Sequence, residues 1–207
     1  MHVRSVAPAV IFVFCLAGCD AREDAGGAPE TGPWTVELGE ELLELKRRDQ
    51  AMREGMSAER LQDSAYMARL SRTDSALSLR LMELVERHGW PTGEVVGDSA
   101  VEAAFLVVQH SPFSEWQQAM LPEVERSAEA GTLPGQDFAL LFDRVRMRLG
   151  ESQRYGTQLS PSGDTLVLLP LENPDSVDVW RAEVGLPPLD EYLDMVQEAY
   201  GAPVRRR

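Results

Sequence analysis

Apolar residues recur at spacings of three and four along most of this chain, and the stretches that carry them close on glycine or proline. That pattern marks amphipathic helices packed by one face against a shared core. The first is expected from about Glu37 to Gly55, with Leu38, Leu42, Leu45, Met52 and Met56 on its stripe. Asp49 falls on the same stripe. A carboxylate there must find a partner, because burying it unpaired costs on the order of several kcal/mol or forces it neutral. Arg53, one turn on, is one candidate. A polar site facing the stripe is the other, and the sequence leaves both open.

A weaker helix is expected over Ala58 to Leu70, and Asp74 then caps a stronger one with Leu77, Leu81, Leu84 and His88 on one face. Gly89, Trp90 and Pro91 follow as a left-handed cap, a packed aromatic and a stop. Ser99 and Glu102 read as a capping box ahead of Val101 to Val108, a nearly continuous apolar run that suits a buried helix or, alternatively, a central strand. The run ends at Gln109-His110-Ser111-Pro112, which puts two strong hydrogen-bonding side chains at the end of a buried element. Ser114 and Gln117 repeat the capping signature before Trp116, Met120, Val124 and Ala128, with Pro122 kinking or dividing that helix and Gly131 ending it. From about Gln136 to Leu149, the apolar face holds Phe138, Leu141, Phe142, Val145 and Leu149, with Asp143 and Arg144 on its flank.

Gln153 to Leu159 and Thr165 to Leu169 flank Ser160-Pro161-Ser162-Gly163, which predicts a β-hairpin. Asn173-Pro174 caps a short helix carrying Val177, Trp180 and Val184, closed by Gly185. Pro188 starts the last, with Leu189, Tyr192, Leu193, Val196 and Tyr200 on one side. The expected fold is therefore mainly α: one compact multi-helix domain over residues 34–200, with a small hairpin near residues 153–169.

The N-terminus has its own grammar. His2 and Arg4 precede an apolar run from Val6 to Phe14, and Leu16-Ala17-Gly18-Cys19 has the small-residue-then-cysteine form of a lipobox. The run is too short to span a bilayer permanently, and the small residues let a peptidase reach the bond before the cysteine. Residues 1–18 are thus expected to be a lipoprotein signal peptide and Cys19 the lipidated first residue of the mature chain. Its localisation would be the cell membrane or the outer membrane, with the domain outside the cytoplasm. Cleavage removes Cys15 and lipid occupies Cys19, so none of the two cysteines is left for a disulfide, a thiolate metal site or a nucleophile. Residues 19–33, rich in Gly, Ala, Pro, Asp and Glu, read as a flexible tether spanning roughly 20 Å.

The net charge of −14 repels phosphate backbones and anionic headgroups. Nucleic acid is therefore not an expected partner, and the lipid must supply the membrane affinity. The basic tail at residues 201–207, ending Arg205-Arg206-Arg207, is expected to be a solvated end or a lipid contact.

His88-Gly89-Trp90-Pro91, Gln109-His110, Asp143-Arg144, the run from Gln153 to Gln158 and Val184-Gly185-Leu186-Pro187-Pro188-Leu189, followed by Glu191-Tyr192-Leu193, form an ordered series of short motifs. Together they resemble a bacterial family known only as domain of unknown function 6624, from the first helix to Leu193. The family pattern includes an aspartate-glutamine pair on the first helix, which corresponds to Asp49-Gln50 with Arg53 nearby. The resemblance carries no known activity. It does imply that Asp49, His88, His110, Asp143, Arg144, Gln153 and Tyr155 converge on one polar site.

The leading functional expectation is a membrane-tethered binding or interaction domain whose polar motifs form a buried network. Gln109, Gln153, Tyr155, Gln158 and Arg53 are the candidate ligand contacts. The alternative is an envelope enzyme, a hydrolase for instance. There His88 or His110 would be general base, Asp49 or Asp143 its orienting partner, and Arg144 an anion or oxyanion stabiliser. No Gly-x-Ser-x-Gly, phosphate-cradling loop or dinucleotide fingerprint accompanies them, and no cofactor is expected. A divalent-metal site built from both histidines with one or two aspartates is the third reading, weakened because no His-Glu-x-x-His places two ligands on one helix.

Overall fold

The computed structural model describes residues 32–56 and 60–206. The expected signal peptide, Cys19, the tether as far as residue 31, and Arg207 lie outside the described residues. Among the described residues, no helix is long and apolar enough to cross a membrane.

Thr35 opens helix α1, Val36–Arg53, by accepting from the Leu38 amide, and the helix buries Leu42, Leu45 and Asp49 along one side. After a 3-10 turn at Arg60–Gln62, Asp63 accepts from the Ala65 and Tyr66 amides and starts α2, Ser64–His88. This single helix of 25 residues replaces the two expected there. Its buried stripe, Tyr66, Leu70, Leu77, Leu81 and Leu84, continues on both sides of the polar stretch, with Asp74 on the same face between Leu70 and Leu77. The hydroxyls of Ser75 and Ser78 turn back onto the carbonyls of Ser71 and Asp74 rather than opening a cap. Asp74 is thus a mid-helix residue, not an N-cap. Gly89, at φ 74°, ends α2 in a conformation that a side chain would strain.

A short helix α3, Gly93–Val96, leads into α4, Asp98–His110, which is a helix and not a strand. Ala100, Val101, Ala103, Ala104, Phe105, Val107 and Val108 of α4 are all buried. It packs against α1, α2 and α3, and against α5, Ser114–Glu129, and α6, Gly135–Arg148. The small faces of its alanines let α1 and α2 approach closely.

Neither expected capping box forms. Glu102 pairs with Lys46 of α1 at 2.9 Å. Gln117 points into the core and donates to the Val108 and Gln109 carbonyls, so it closes the end of α4 rather than the start of α5. Pro122 sits inside α5 without dividing it. Leu149, expected on the apolar face of α6, is exposed just past its last turn.

Strands β1, Leu159–Ser162, and β2, Thr165–Leu168, form the antiparallel hairpin with Ser162 opposite Thr165. Its turn is therefore Gly163-Asp164, two residues beyond the centre of the expected Ser160-Pro161-Ser162-Gly163 segment, and Pro161 sits in an edge strand where no ladder donor is needed. Helices α7, Val177–Glu183, and α8, Leu189–Tyr200, follow. The chain then adds β3, Val204–Arg205, parallel to β2, and Arg206 pairs with Asp190. The tail is thus tied to the domain by its backbone, while Arg205 and Arg206 remain exposed to solvent. The fold is mainly α with one small sheet.

Gly135 begins α6 against the Val184 backbone, and a Cβ on it would stand 2.1 Å from the Val184 carbonyl oxygen. Alanine ordinarily favours a helix, so the sign of Gly135→Ala separates propensity from packing. We expect a loss of about 1–3 kcal/mol in urea denaturation; an unchanged or raised stability would show that α6 and the Val184 turn can part freely.

Candidate functional site

The strongest local anomaly in the sequence, a carboxylate on an apolar stripe, lies where three helices meet. Asp49 is 1% exposed. Its Oδ1 accepts from Arg53 Nη1 and from His110 Nδ1, both at 2.8 Å, and its Oδ2 accepts from Gln50 Nε2 at 2.7 Å. Arg53 reaches on to Asp74 of α2, with Nη2 donating to Oδ1 at 3.0 Å. Burial raises the Asp74 pKa above the usual carboxylate range, against the pull of the Arg53 cation. An ionised Asp49 can only accept, so His110 carries its proton on Nδ1 and presents Nε2, in the neutral ring, as a proton acceptor. That is the arrangement of an oriented general base.

Beside His110 on α4, the buried Gln109 faces α6. With its amide oxygen turned to Arg144, it accepts from Nε and Nη2 at 3.2 Å each. One turn further along α6, Arg148 Nη1 donates to Gln117 Oε1 at 2.5 Å and lies 3.5 Å from the Ser111 carbonyl. Among the described residues neither Arg144 nor Arg148 forms an ion pair. Burial lowers the Arg144 pKa, and the positive charges of Arg148 and Arg53 lower it further. Arg53, Arg144 and Arg148 thus gather on one side of α4, with Asp49 and Asp74 both committed to Arg53.

The other expected residues lie in two separate places. Asp143, fully buried, accepts from the amides of Arg154, Tyr155 and Thr157 at 2.7, 3.0 and 3.0 Å and from Thr157 Oγ1 at 2.9 Å. Burial raises its pKa against the pull of those four donors. Gln153 donates to the Gln158 and Leu169 carbonyls and accepts from the Gln158 amide. Gln158 reaches Thr157 Oγ1, and the Tyr155 ring packs edge-on against Phe138 and Phe142. These contacts shape the loop from the inside. His88 meets the start of the described chain, its Nδ1 2.6 Å from the Gly32 carbonyl and its ring against Trp34. It stands 14 residues beyond Asp74 on α2, about 21 Å of helix rise. The structure therefore brings together Asp49, Arg53, Gln109, His110 and Arg144, and leaves His88, Asp143, Gln153, Tyr155 and Gln158 out of that group.

A family model described as a family of unknown function, DUF6624, matches residues 36–205, the span from α1 to β3. The chain belongs to DUF6624. Among curated proteins and among solved structures, nothing matches.

Three residues of this DUF6624 domain that matter to the site escape a sequence reading. Asp74 looks like a cap, Gln117 like half of a capping box, and Arg148 like a basic residue placed to complement a helix end. The spacing of Arg144 and Arg148, four apart on one helix face, was the available signal for the last. Arg181 of α7 is hidden more deeply. It is fully buried, donating to the Pro187 and Tyr155 carbonyls at 2.6 and 2.5 Å with its guanidinium over the Tyr192 ring, and it joins α7 to the Asp143 loop. No group of three or more His, Cys, Asp or Glu among the described residues could hold a metal. A concavity of about 580 Å³ opens elsewhere, near Trp90, Glu94, Asp98 and Arg126; its arginine is already paired with Glu123, so it offers no free cation.

Asp143→Ala leaves the buried amides of Tyr155 and Thr157, the part-buried amide of Arg154 and the Thr157 hydroxyl without their acceptor. We expect a loss of about 3 kcal/mol or more, read by chemical denaturation; a loss below about 1 kcal/mol would mean that the loop does not depend on this carboxylate.

Proposed function

We propose that the domain binds a small anionic ligand at the Arg53, Arg144 and Arg148 cluster. We further propose that lipid on Cys19 holds it at the cell membrane or the outer membrane, outside the cytoplasm. The observation that carries the ligand reading is Arg144. Its guanidinium is half-buried, loses basicity chiefly through that burial and further through the charges of Arg148 and Arg53, and is oriented by a neutral amide. Like charges drawn together out of water cost energy unless something negative answers them. In a chain of net charge −14, a site with cations left over is a local exception, and an oxyanion matches its donors. The enzyme reading retains one support, the Asp49–His110 pair. Two of its other expected members, His88 and Asp143, have internal partners elsewhere, which is why binding is preferred. The anchor reading rests on the charge, apolar run and lipobox of residues 1–19.

Thermal unfolding of the wild-type chain is expected to shift upward with sulfate, phosphate or acetate in the buffer. A ligand at 100-fold above its Kd adds about 2.7 kcal/mol. Arg144→Gln should abolish that shift while leaving the ligand-free melting temperature unchanged or higher, because it relieves the repulsion. If none of the three anions shifts the wild type, the binding reading fails. For the anchor, Cys19→Ser should move the chain from the membrane fraction to the soluble fraction, and a variant still wholly in the membrane fraction contradicts it.

A further inference from the structure

Arg144 and Arg148 share an unusual form of support. Each is held by a buried glutamine, Gln109 at 5% exposure and Gln117 at 0%, at a place where a carboxylate would make an ordinary salt bridge. A neutral amide fixes the direction of a guanidinium and leaves its charge unspent. Gln117 is itself locked, since its own amide nitrogen donates to two carbonyls at the end of α4. Its oxygen is thereby aimed at Arg148 by the fold.

The donors left over are specific. Gln109 takes the Nε and Nη2 edge of Arg144, so the Nη1 protons and one Nη2 proton stay free as a two-pronged end. Gln117 and the Ser111 carbonyl take Nη1 of Arg148, and its Nε and Nη2 have no acceptor among the described residues. Residues four apart on a helix lie on one face, within about 6 Å of each other at Cβ. The half-buried Arg144 is held at Gln109 and the more exposed Arg148 at Gln117 and Ser111, so both guanidiniums are drawn from one face of α6 to the end of α4 and its exit. A carboxylate is planar and carries one charge, and a single fork uses both of its oxygens. A phosphate group carries close to two charges and spreads its terminal oxygens around a tetrahedron, so it can engage both forks at once.

Building on the anion-binding reading above, we propose that the Arg144–Arg148 pair is a receptor for the phosphate group of inorganic phosphate or of a phosphate monoester. Gln109 and Gln117 serve in it as positioning residues that orient the two guanidiniums without neutralising them.

Calorimetric titration of the full chain in detergent, at constant ionic strength, tests this with inorganic phosphate and acetate in parallel. Phosphate is expected to bind at least tenfold more tightly than acetate. Gln117→Glu, which places a negative charge on Arg148 and also gives up the two bonds to the Val108 and Gln109 carbonyls, should weaken phosphate at least tenfold and change acetate by less than twofold. Should that variant fail to fold, Arg148→Lys keeps the charge, removes the fork and should produce the same selective loss. Acetate binding as tightly as phosphate would overturn the phosphate assignment and leave the anion reading standing; binding of neither overturns both. Phosphate affinity unmoved in a folded Gln117→Glu or Arg148→Lys chain would overturn the two-fork geometry. Displacement of bound phosphate by glycerol 3-phosphate identifies a soluble ester as the source, and displacement only by phosphatidate in mixed micelles identifies a lipid headgroup. Either displacement supports the tetrahedral class.

Discussion

Three helices are joined through one carboxylate. Asp49 projects from α1 into the place where α4 ends and α2 passes, and it is answered there by His110 and Arg53, with Arg53 continuing to Asp74. A buried charge with this many partners is costly to leave half-satisfied, which makes the arrangement of the three helices close to all-or-none. The apolar core would tolerate small slides of one helix on another. The hydrogen bonds to Asp49 do not, since each is directional over about 3 Å. Position along the helix axes, and with it the place of Gln109 and His110, follows from this junction.

The second buried carboxylate works on another scale. Asp143 collects main-chain amides from a loop that has no regular structure of its own, and so does for that loop what a ladder does for a strand. Arg181 adds a cation inside the same region, held mostly by carbonyls. The hairpin, α7 and α8 form a smaller apolar cluster around Leu168, Val177, Leu189 and Leu193. It stays in register with the main core because α6 carries Asp143 toward the loop and Arg144 toward α4 from adjacent positions.

Elements whose partners are local could be read from the chain. The stripes of α1, α6 and α8, apart from their last expected members Met56, Leu149 and Tyr200, which are exposed, and the terminating glycines follow from periodicity and turn chemistry alone, and the misfit of Asp49 is visible because a stripe has a known phase. Both of its alternatives hold at once, the Arg53 pair and the wider polar cluster. What could not be read shares one cause, a partner distant in sequence. Glu102 and Gln117 have the spacing of capping boxes, yet Lys46 and the end of α4 outcompete a cap. Asp74 has the chemistry of an N-cap, yet the pair with Arg53 and the apolar residues on either side, Leu70 and Leu77, keep it inside a helix. Asp143 and Arg144 look like a flanking ion pair, yet the donors to Asp143 are backbone amides, which no side-chain pattern reveals. Of the seven residues expected to converge, only Asp49, His110 and Arg144 do so, for the same reason: motif order along a chain carries no distance.

The contact at the start of the domain has a mechanical meaning. Trp34 donates to the Gly89 carbonyl, and His88 meets the Gly32 carbonyl, at the last turn of α2. A pull on the chain from its N-terminal side is therefore borne first by an indole, an imidazole and a glycine cap. Each of these contacts is a single hydrogen bond, whereas Asp49, further along α1, is held by several. Local opening at the point of entry would therefore cost less than opening at the junction.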